Sequence, residues 1–400
     1  MTDYNHHKVI SFFALFVFIV FVVFAGISPL LGFYIPLIFL AVNFGNNRLF
    51  RVSIASIAIF SCIYMVSSRN YMSGSIKDDF QNIYFPVYQR MAAGQSIFYD
   101  QFSNGLEFLL PLYFKITHYL FNLTHPQDVM ASVTALCLIP FYIWLEKYGM
   151  ENVSDSKKSL CVASSLGLMV YAVTTQNMRQ AISCVFLLFA ITYFRDKRWF
   201  LFLIYFILAF VAHTTAIIVL AIFIILMSDN SYRKKTLALT ALFASLFFNV
   251  IIGIIISHNL LGAATYKLMF YTGLSGGASL DIGYLKFFFI MIFTAPLFFN
   301  AEENKYKSLI FYGTFIYFVL IPIPVISHRL LLLMVAFMNG YLMFLSFYRI
   351  ANVYRLIFIG YCIYRLLKQG PYFTLGDEEQ FMDLWFSYPW IGSSLFYYLT

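Results

Sequence analysis

The feature that most constrains this chain is the recurrence of long apolar segments without charge. Between Lys8 and Arg48 there is no charged side chain, and similar runs continue along the sequence. Overall, 61% of the residues are hydrophobic and 11% are charged. A soluble domain cannot bury so much apolar surface, because its interior grows slowly with length. The pattern excludes a soluble enzyme and a disordered protein. It predicts an all-α, polytopic integral membrane bundle with about 11–14 transmembrane helices.

Thirteen crossings account for these apolar runs. A crossing helix needs about 20 apolar residues. The run 9–47 is therefore long enough for two helices, and the 29 residues of 199–227 are expected to form two short helices that meet near Ala212 and His213. The other predicted crossings are 51–69, 129–145, 159–178, 180–194, 236–257, 284–299, 308–324, 330–348 and 353–364.

The positions of lysine and arginine predict the orientation. The net charge is +8, and the cations concentrate in short loops at 45–51, 147–158, 195–198, 229–235 and 301–307. Loops of this kind are typical of the cytoplasmic side, so the charge reflects topology and no nucleic-acid partner is expected. The N-terminus is then cytoplasmic, and the acidic C-terminal tail lies outside.

Residues 1–400 are expected to form a single membrane domain with two large outer loops, 68–128 and 257–283. The loop parity requires that the apolar segment 106–123 does not cross. Because this segment contains Glu107, Lys115 and His118, we expect it to be an interfacial or re-entrant helix.

Two arginines lie at outer helix ends, where the charge rule predicts few. Arg179 shares its turn with Asn177 and Gln180, and Arg329 directly follows His328. Charged groups at the rim of a helical bundle often mark substrate sites, and an arginine fork binds phosphate through two parallel hydrogen bonds. The alternative is that each arginine extends to the lipid headgroups.

His213 is the third candidate. If 199–227 crosses twice, this side chain lies at an outer turn, where it can bind a phosphate or transfer a proton. The alternative is a buried histidine that serves only packing.

The outer loops hold further candidates. In the stretch 77–90, Asp79, Tyr84 and Arg90 accompany aromatic residues spaced four apart, and Glu107 follows downstream. An aromatic surface with carboxylates suits sugar binding, and Asp79 or Glu107 is the expected general base for a hydroxyl. The alternative is an interfacial helix with its aromatics among headgroups. Lys267 precedes the glycine-rich stretch 273–283, which is either a mobile lid or a plain flexible loop.

Several of these segments, taken in order, resemble the EpsG-like branch of the Wzy polysaccharide polymerases. The strongest part is NMRQAIS at 177–183, followed by the basic RDKR at 195–198 and by AHTTAI at 212–217. DDFQNIY at 78–84, GLEFLLPLYFKI at 105–116, YKLMFY at 266–271 and SHRLLLL at 327–333 are similar to other elements of that family. The chain departs from the family pattern at Phe80 and at Leu106, next to the two candidate carboxylates.

The resemblance implies a glycosyltransferase of the bacterial inner membrane. Donor and acceptor would be oligosaccharides linked to undecaprenyl pyrophosphate, joined by block transfer at the periplasmic face. Asp79, Glu107 and His213 would then be catalytic. The expected substrate-binding residues are Arg179, Arg329, Gln180, Asn177, Lys267, Tyr84, Arg90 and His328. A chain-length regulator is a further expected partner.

No nucleotide-binding motif and no metal-ligand spacing occurs, so no cofactor and no metal are expected. The alternatives to a polymerase are a flippase or transporter of the same lipid-linked glycan and an O-antigen ligase.

Overall fold

A computed structural model describes residues 2–42, 47–70, 78–258, 278–323, 326–374 and 383–399. Its regular structure in these ranges is helical, and they contain no strand. The α-helices are α1 Thr2–Ile27, α2 Pro29–Val42, α3 Arg48–Ser67, α4 Phe85–Ala92, α5 Leu109–Phe121, α6 Pro126–Trp144, α7 Asp155–Gly167, α8 Val173–Gln176, α9 Met178–Arg195, α10 Trp199–Ala212, α11 Ala216–Met227, α12 Ser231–Leu246, α13 Phe248–Ser257, α14 Ala278–Phe298, α15 Asn304–Leu320, α16 Ile326–Leu330, α17 Asn339–Ser346 and α18 Ala351–Gln369.

The membrane-bundle prediction is confirmed. Within the described ranges, four helical segments are long and apolar enough to cross a bilayer: Arg48–Ser67, Pro126–Gly149, Met178–Arg195 and Tyr348–Gln369. Five shorter apolar helices accompany them: Leu15–Ile27, Pro29–Val42, Trp199–Ala212, Ala216–Met227 and Lys286–Phe298. Local sequence explains several boundaries. Asn47 caps α3 by accepting a hydrogen bond from the backbone N–H of Phe50, and Asn230 caps α12 in the same way.

The segment 199–227 forms two helices, as the loop parity requires. The helix α10 ends at Ala212, and α11 begins at Ala216. Met227, at the end of α11, lines the same small cavity as Arg195, at the end of α9. The chain therefore returns to the end of the bundle from which α10 departs. By contrast, the 13-residue α5 is not among the apolar helices of the described residues, because Lys115 and His118 lie within it.

Two predicted continuous spans are interrupted inside the protein. In 159–178 the α-helix stops at Gly167, and in 330–348 a π-helix at Leu333–Phe337 precedes the α-helix that begins at Asn339. The two breaks lie side by side, since the N–H of Val170 donates to the carbonyl of Ala336 at 3.1 Å and the Asn339 amide donates to the carbonyl of Leu168 at 3.2 Å. Non-helical backbone is tolerated at membrane depth only where other protein groups satisfy its hydrogen bonds, as they do here.

The aromatic residues of the predicted first outer loop do not lie at a lipid interface. Phe80, Tyr84 and Tyr88 are 0%, 4% and 3% exposed, respectively. The Tyr88 hydroxyl donates to the carbonyl of Leu123 at 2.6 Å, which ties α4 to the end of α5. Burial of the ring face thus fastens the loop onto the bundle.

The C-terminal segment covers the same end of the bundle as this loop. The N–H of Asn70 donates to the carbonyl of Asp383 at 2.8 Å, and the N–H of Phe396 donates to the carbonyl of Gly26 at 2.7 Å. These bonds satisfy backbone groups near the ends of α1 and α3. The acidic residues 377–379 lie outside the described residues.

Candidate active site

The carboxylate of Glu107 is the centre of a buried polar cluster. Its Oε1 atom accepts hydrogen bonds from His213 Nδ1 at 2.7 Å, from the Thr214 N–H at 2.9 Å and from the Thr214 hydroxyl at 2.8 Å. Its Oε2 atom forms an ion pair with Nη1 of Arg179. The Glu107 side chain is 1% exposed. Burial raises the pKa of this carboxyl group, but the hydrogen bond from His213 and the charge of Arg179 outweigh burial and hold the pKa below its ordinary value. Glu107 is therefore ionised.

A strained turn aims Glu107 at its partners. Three successive residues, Ser103, Asn104 and Gly105, have positive φ angles of 52°, 53° and 82°. The Ser103 hydroxyl donates to Glu107 Oε1 at 3.0 Å. Phe102, immediately before the turn, lies under the Arg179 guanidinium, with 3.9 Å between the guanidinium carbon and the ring centroid. This cation–π contact restrains the guanidinium of Arg179 in addition to the ion pair with Glu107.

His213 lies where α10 stops and α11 has not yet begun. Because Nδ1 faces the ionised Glu107, the tautomer that satisfies this contact carries its proton on Nδ1. The Nε2 atom then has an available lone pair, and no hydrogen bond to it occurs within the described residues. The imidazole is 12% exposed, so only a small part of the ring is accessible to solvent.

Asp79 is positioned by its neighbour Asp78 and by Gln176. The amide of Gln176 accepts from the N–H of Asp79 at 3.1 Å and donates to Asp78 Oδ1 at 2.8 Å. Asp78 in turn forms a fully buried ion pair with Arg69 at 3.1 Å. Arg69 also donates from Nε to Thr175 Oγ1 at 2.9 Å. The carboxylate of Asp78 is thus structural, whereas that of Asp79 forms no hydrogen bond in the described part of the chain.

The carboxyl group of Asp79 interacts electrostatically with Arg179 and Arg329. Burial raises the pKa of the Asp79 carboxyl group, and the charges of Arg329 and Arg179 partly oppose this rise. Gln180 donates from its amide to the backbone carbonyl of Arg329, which links α9 to α16. The ring of Tyr84 is buried beside the same charges. Asp79, Tyr84, Arg179 and Arg329 therefore belong to the cluster around Glu107.

The comparisons with known proteins give one match. A model of the EpsG family matches residues 73–369. The chain belongs to the EpsG family. Neither the curated proteins nor the solved structures contain a significant match. EpsG membership indicates a membrane protein with a polysaccharide-polymerase-like role, and the matched region includes every residue of the cluster.

The remaining candidates in this EpsG-family chain are adjacent in sequence to cluster residues, exposed, or outside the described residues. Asn177 is half-buried at the junction of α8 and α9, and His328 precedes Arg329 on α16. Arg90 is exposed on α4, where its guanidinium carbon lies 5.1 Å from the ring centroid of Tyr99. Lys267 lies outside the described residues. The described residues contain no group of three His, Cys, Asp or Glu side chains arranged to hold a metal ion.

Sequence reasoning missed the ion pair of Arg69 and Asp78. It also missed that the hydroxyls of Thr214 and Ser103 donate to the same Glu107 oxygen as His213 does. The available signal for the ion pair was weak. Arg69 ends a predicted crossing helix, and Asp78 follows nine residues later, so a short closed loop was possible. Nothing in the pattern of the chain distinguished Asp78 from Asp79.

Proposed function

We propose that this chain polymerises a bacterial surface polysaccharide, either O-antigen or exopolysaccharide. It would join oligosaccharide repeat units linked to undecaprenyl pyrophosphate, by block transfer at the periplasmic face of the inner membrane. The observation that carries the proposal is the cluster of Glu107, Arg179 and His213, with Asp79 and Arg329 beside it. It combines a candidate base with two permanent cations, which are the groups that this reaction needs.

The proposed step is a displacement at the anomeric carbon of the donor glycan. A hydroxyl oxygen of the acceptor repeat unit forms a bond to that carbon, while the bond from the carbon to the pyrophosphate oxygen breaks. The bonding electron pair leaves with the pyrophosphate, and the hydroxyl proton moves to a base on the protein. Negative charge therefore develops on the pyrophosphate, where preorganised cations stabilise it most in a site from which water is excluded.

Arg179 and Arg329 are the proposed ligands of the pyrophosphate. Arg179 uses Nη1 for Glu107, while its buried Nε atom has no hydrogen-bond partner among the described residues. Its guanidinium is also held flat against Phe102, so little conformational entropy is lost when a phosphate binds. The Glu107 carboxylate keeps the arginine in place without occupying the whole fork.

His213 is the proposed base. A histidine whose Nδ1–H donates to a carboxylate presents Nε2 as a proton acceptor, and the carboxylate stabilises the imidazolium that forms. Glu107 is a poorer base, because its Oε1 already accepts four hydrogen bonds and its Oε2 is paired with Arg179. Asp79 is the alternative base, since its carboxylate is available and its pKa is raised by burial.

The lengths of α10 and α11 suit a lipid-linked substrate. Their 14 and 12 residues correspond to about 21 and 18 Å of helix, compared with a hydrocarbon thickness of about 30 Å. A turn between two such helices is recessed from the outer surface. The phosphates of a polyprenyl pyrophosphate, which lie near the headgroups, would reach Arg179 with the isoprenoid chain still in the bilayer.

The test is complementation of a strain in which the gene is deleted. Wild type, Arg179→Ala and the control Arg233→Ala are expressed, and the surface glycan is separated on a denaturing gel. Arg233 is an exposed arginine in the first turn of α12, which follows α11 at the end of the bundle where Arg195 lies. We expect the deletion to leave single repeat units, wild type and Arg233→Ala to restore the ladder of chain lengths, and Arg179→Ala to fail.

The same gel separates the alternatives. If deletion removes all repeat-bearing glycan, the protein acts in export or ligation, and the proposed polymerase activity is wrong. If Arg179→Ala restores a full ladder, polymerisation stands but the pyrophosphate is bound elsewhere.

A further inference from the structure

The opposite end of the bundle contains a basic cavity that takes no part in the proposed reaction. Its volume is about 520 Å³, and it lies between the start of α12 and the start of α15. Three ammonium groups and one carboxylate line it together with three hydroxyls: Lys234, Lys305, Lys307, Asp229, Ser228, Ser308 and Tyr312. Ser228 directly follows Met227, so the cavity lies at the end where Arg195 is found and opposite the Glu107 cluster.

Lys234 is the informative residue of this cavity. It is 7% exposed, and its ammonium group donates one hydrogen bond, to Ser308 Oγ at 2.8 Å. Within the described residues no carboxylate lies within ion-pair distance of it, although Asp229 lines the same cavity. An ammonium group has three donors, and a buried one without a counter-ion is costly. A bound anion would offset that cost.

The other two lysines add charge of the same sign. Lys305 is 3.6 Å from Glu303 Oε2, so its charge is partly compensated. Lys307 is half-buried and has no ion-pair partner among the described residues. The cavity is therefore electropositive, and its hydroxyls provide donors suited to the oxygens of a phosphate.

The walls of the cavity indicate where such a phosphate comes from. Phe311 lines it, and Phe315 and Phe318, one and two turns further along α15, are 44% and 56% exposed. A polar pocket at the start of α15 that continues into an exposed apolar stripe matches a phospholipid, with its headgroup in the pocket and its chain along the stripe.

We propose that this cavity binds the phosphate headgroup of an anionic phospholipid of the cytoplasmic leaflet. Each lysine near an anionic headgroup contributes about fivefold to affinity. The site is independent of the polymerase proposal, because it shares no residue with the cluster around Glu107.

The test measures the thermal stability of the purified full chain in detergent as phosphatidylglycerol or phosphatidylcholine is added. We expect phosphatidylglycerol to raise the melting temperature more than phosphatidylcholine does. Lys307→Gln should need about fivefold more phosphatidylglycerol than the wild type for the same shift in melting temperature. For Lys234→Gln the increase in the required concentration should be at least as large. Lys235→Gln is the matched control, because Lys235 is exposed beside Lys234 but does not line the cavity.

Three results would overturn the proposal. Equal shifts with both lipids would show that no anionic site exists. An equal loss in Lys235→Gln and Lys307→Gln would show general surface attraction. A full shift produced by glycerol 3-phosphate alone would assign the cavity to a soluble phosphate compound. If Lys234→Gln does not fold, Lys307→Gln still decides the outcome, because its side chain is only half-buried.

Discussion

The role of Glu107 can be tested with the near-isosteric change Glu107→Gln. The carboxylate accepts from five donors, which belong to His213, Thr214, Ser103 and Arg179. A glutamine offers one accepting oxygen and one donating NH₂ group. If that NH₂ group faces His213, the imidazole proton must move to Nε2, and the base is lost. If the NH₂ group faces Arg179, it and the Nη1 of Arg179 are both donors, so the hydrogen bond between the two side chains is lost.

The magnitude follows from the geometry. Loss of the correct histidine tautomer in a carboxylate–histidine pair costs about 10⁴-fold in rate, known from the serine-protease triad. That factor corresponds to about 5 kcal/mol of transition-state stabilisation. Removing one partner of a buried ion pair also destabilises the fold, by about 3 kcal/mol here, at the lower end of the usual range because Arg179 remains 18% exposed. The activity loss should therefore exceed what partial unfolding explains.

The assay uses purified protein and lipid-linked repeat units, with the rate of chain extension as the readout. We expect Glu107→Gln and His213→Gln to lose about the same activity, and the double variant to lose no more than either, because the two residues act as a unit. The exposed Glu302→Gln serves as the control. A Glu107→Gln protein that folds normally and extends chains within about tenfold of the wild-type rate would refute the proposed dyad.

Four further variants have outcomes that melting-temperature measurements in detergent can check. Gly340→Ala should destabilise by about 1–3 kcal/mol, because the added Cβ would lie 2.0 Å from the carbonyl oxygen of Ser164. Gly360→Ala, with no atom within 4 Å of its added Cβ, should be neutral or stabilising. Arg69→Gln should cost about 3–5 kcal/mol, because it leaves Asp78 as an uncompensated buried charge; equal stability would show that the pair is dispensable. Burial raises the folded-state pKa of Asp79, so the folded state binds more protons than the unfolded state above the ordinary aspartate pKa of about 3.9. The contribution of Asp79 to stability therefore falls as pH rises from the unfolded-state pKa to the higher folded-state pKa. Asp79→Asn should remove this decline, and an unchanged dependence of melting temperature on pH would contradict the burial of Asp79.

Much of the fold follows from the sequence because membrane insertion is a property of each segment by itself. The apolar runs predicted the all-α membrane bundle, and loop parity predicted that 199–227 turns near His213. The same reasoning missed the breaks after Gly167 and before Asn339. A hydropathy pattern contains no information on whether a neighbouring segment is available to satisfy unpaired backbone groups, which is what permits these breaks.

The sequence by itself determined the membrane class and drew attention to Arg179, Arg329, His213 and Glu107 through their unusual positions. Only the tertiary structure decided how these residues combine. Glu107 meets Arg179 across 72 residues and His213 across 106, and these contacts depend on how separate helices pack. Packing also assigned Asp78 to a structural ion pair and left the carboxylate of the adjacent Asp79 available. Transfer into a bilayer depends on composition, whereas the pairing of buried charges depends on which side chains the fold brings within hydrogen-bond distance.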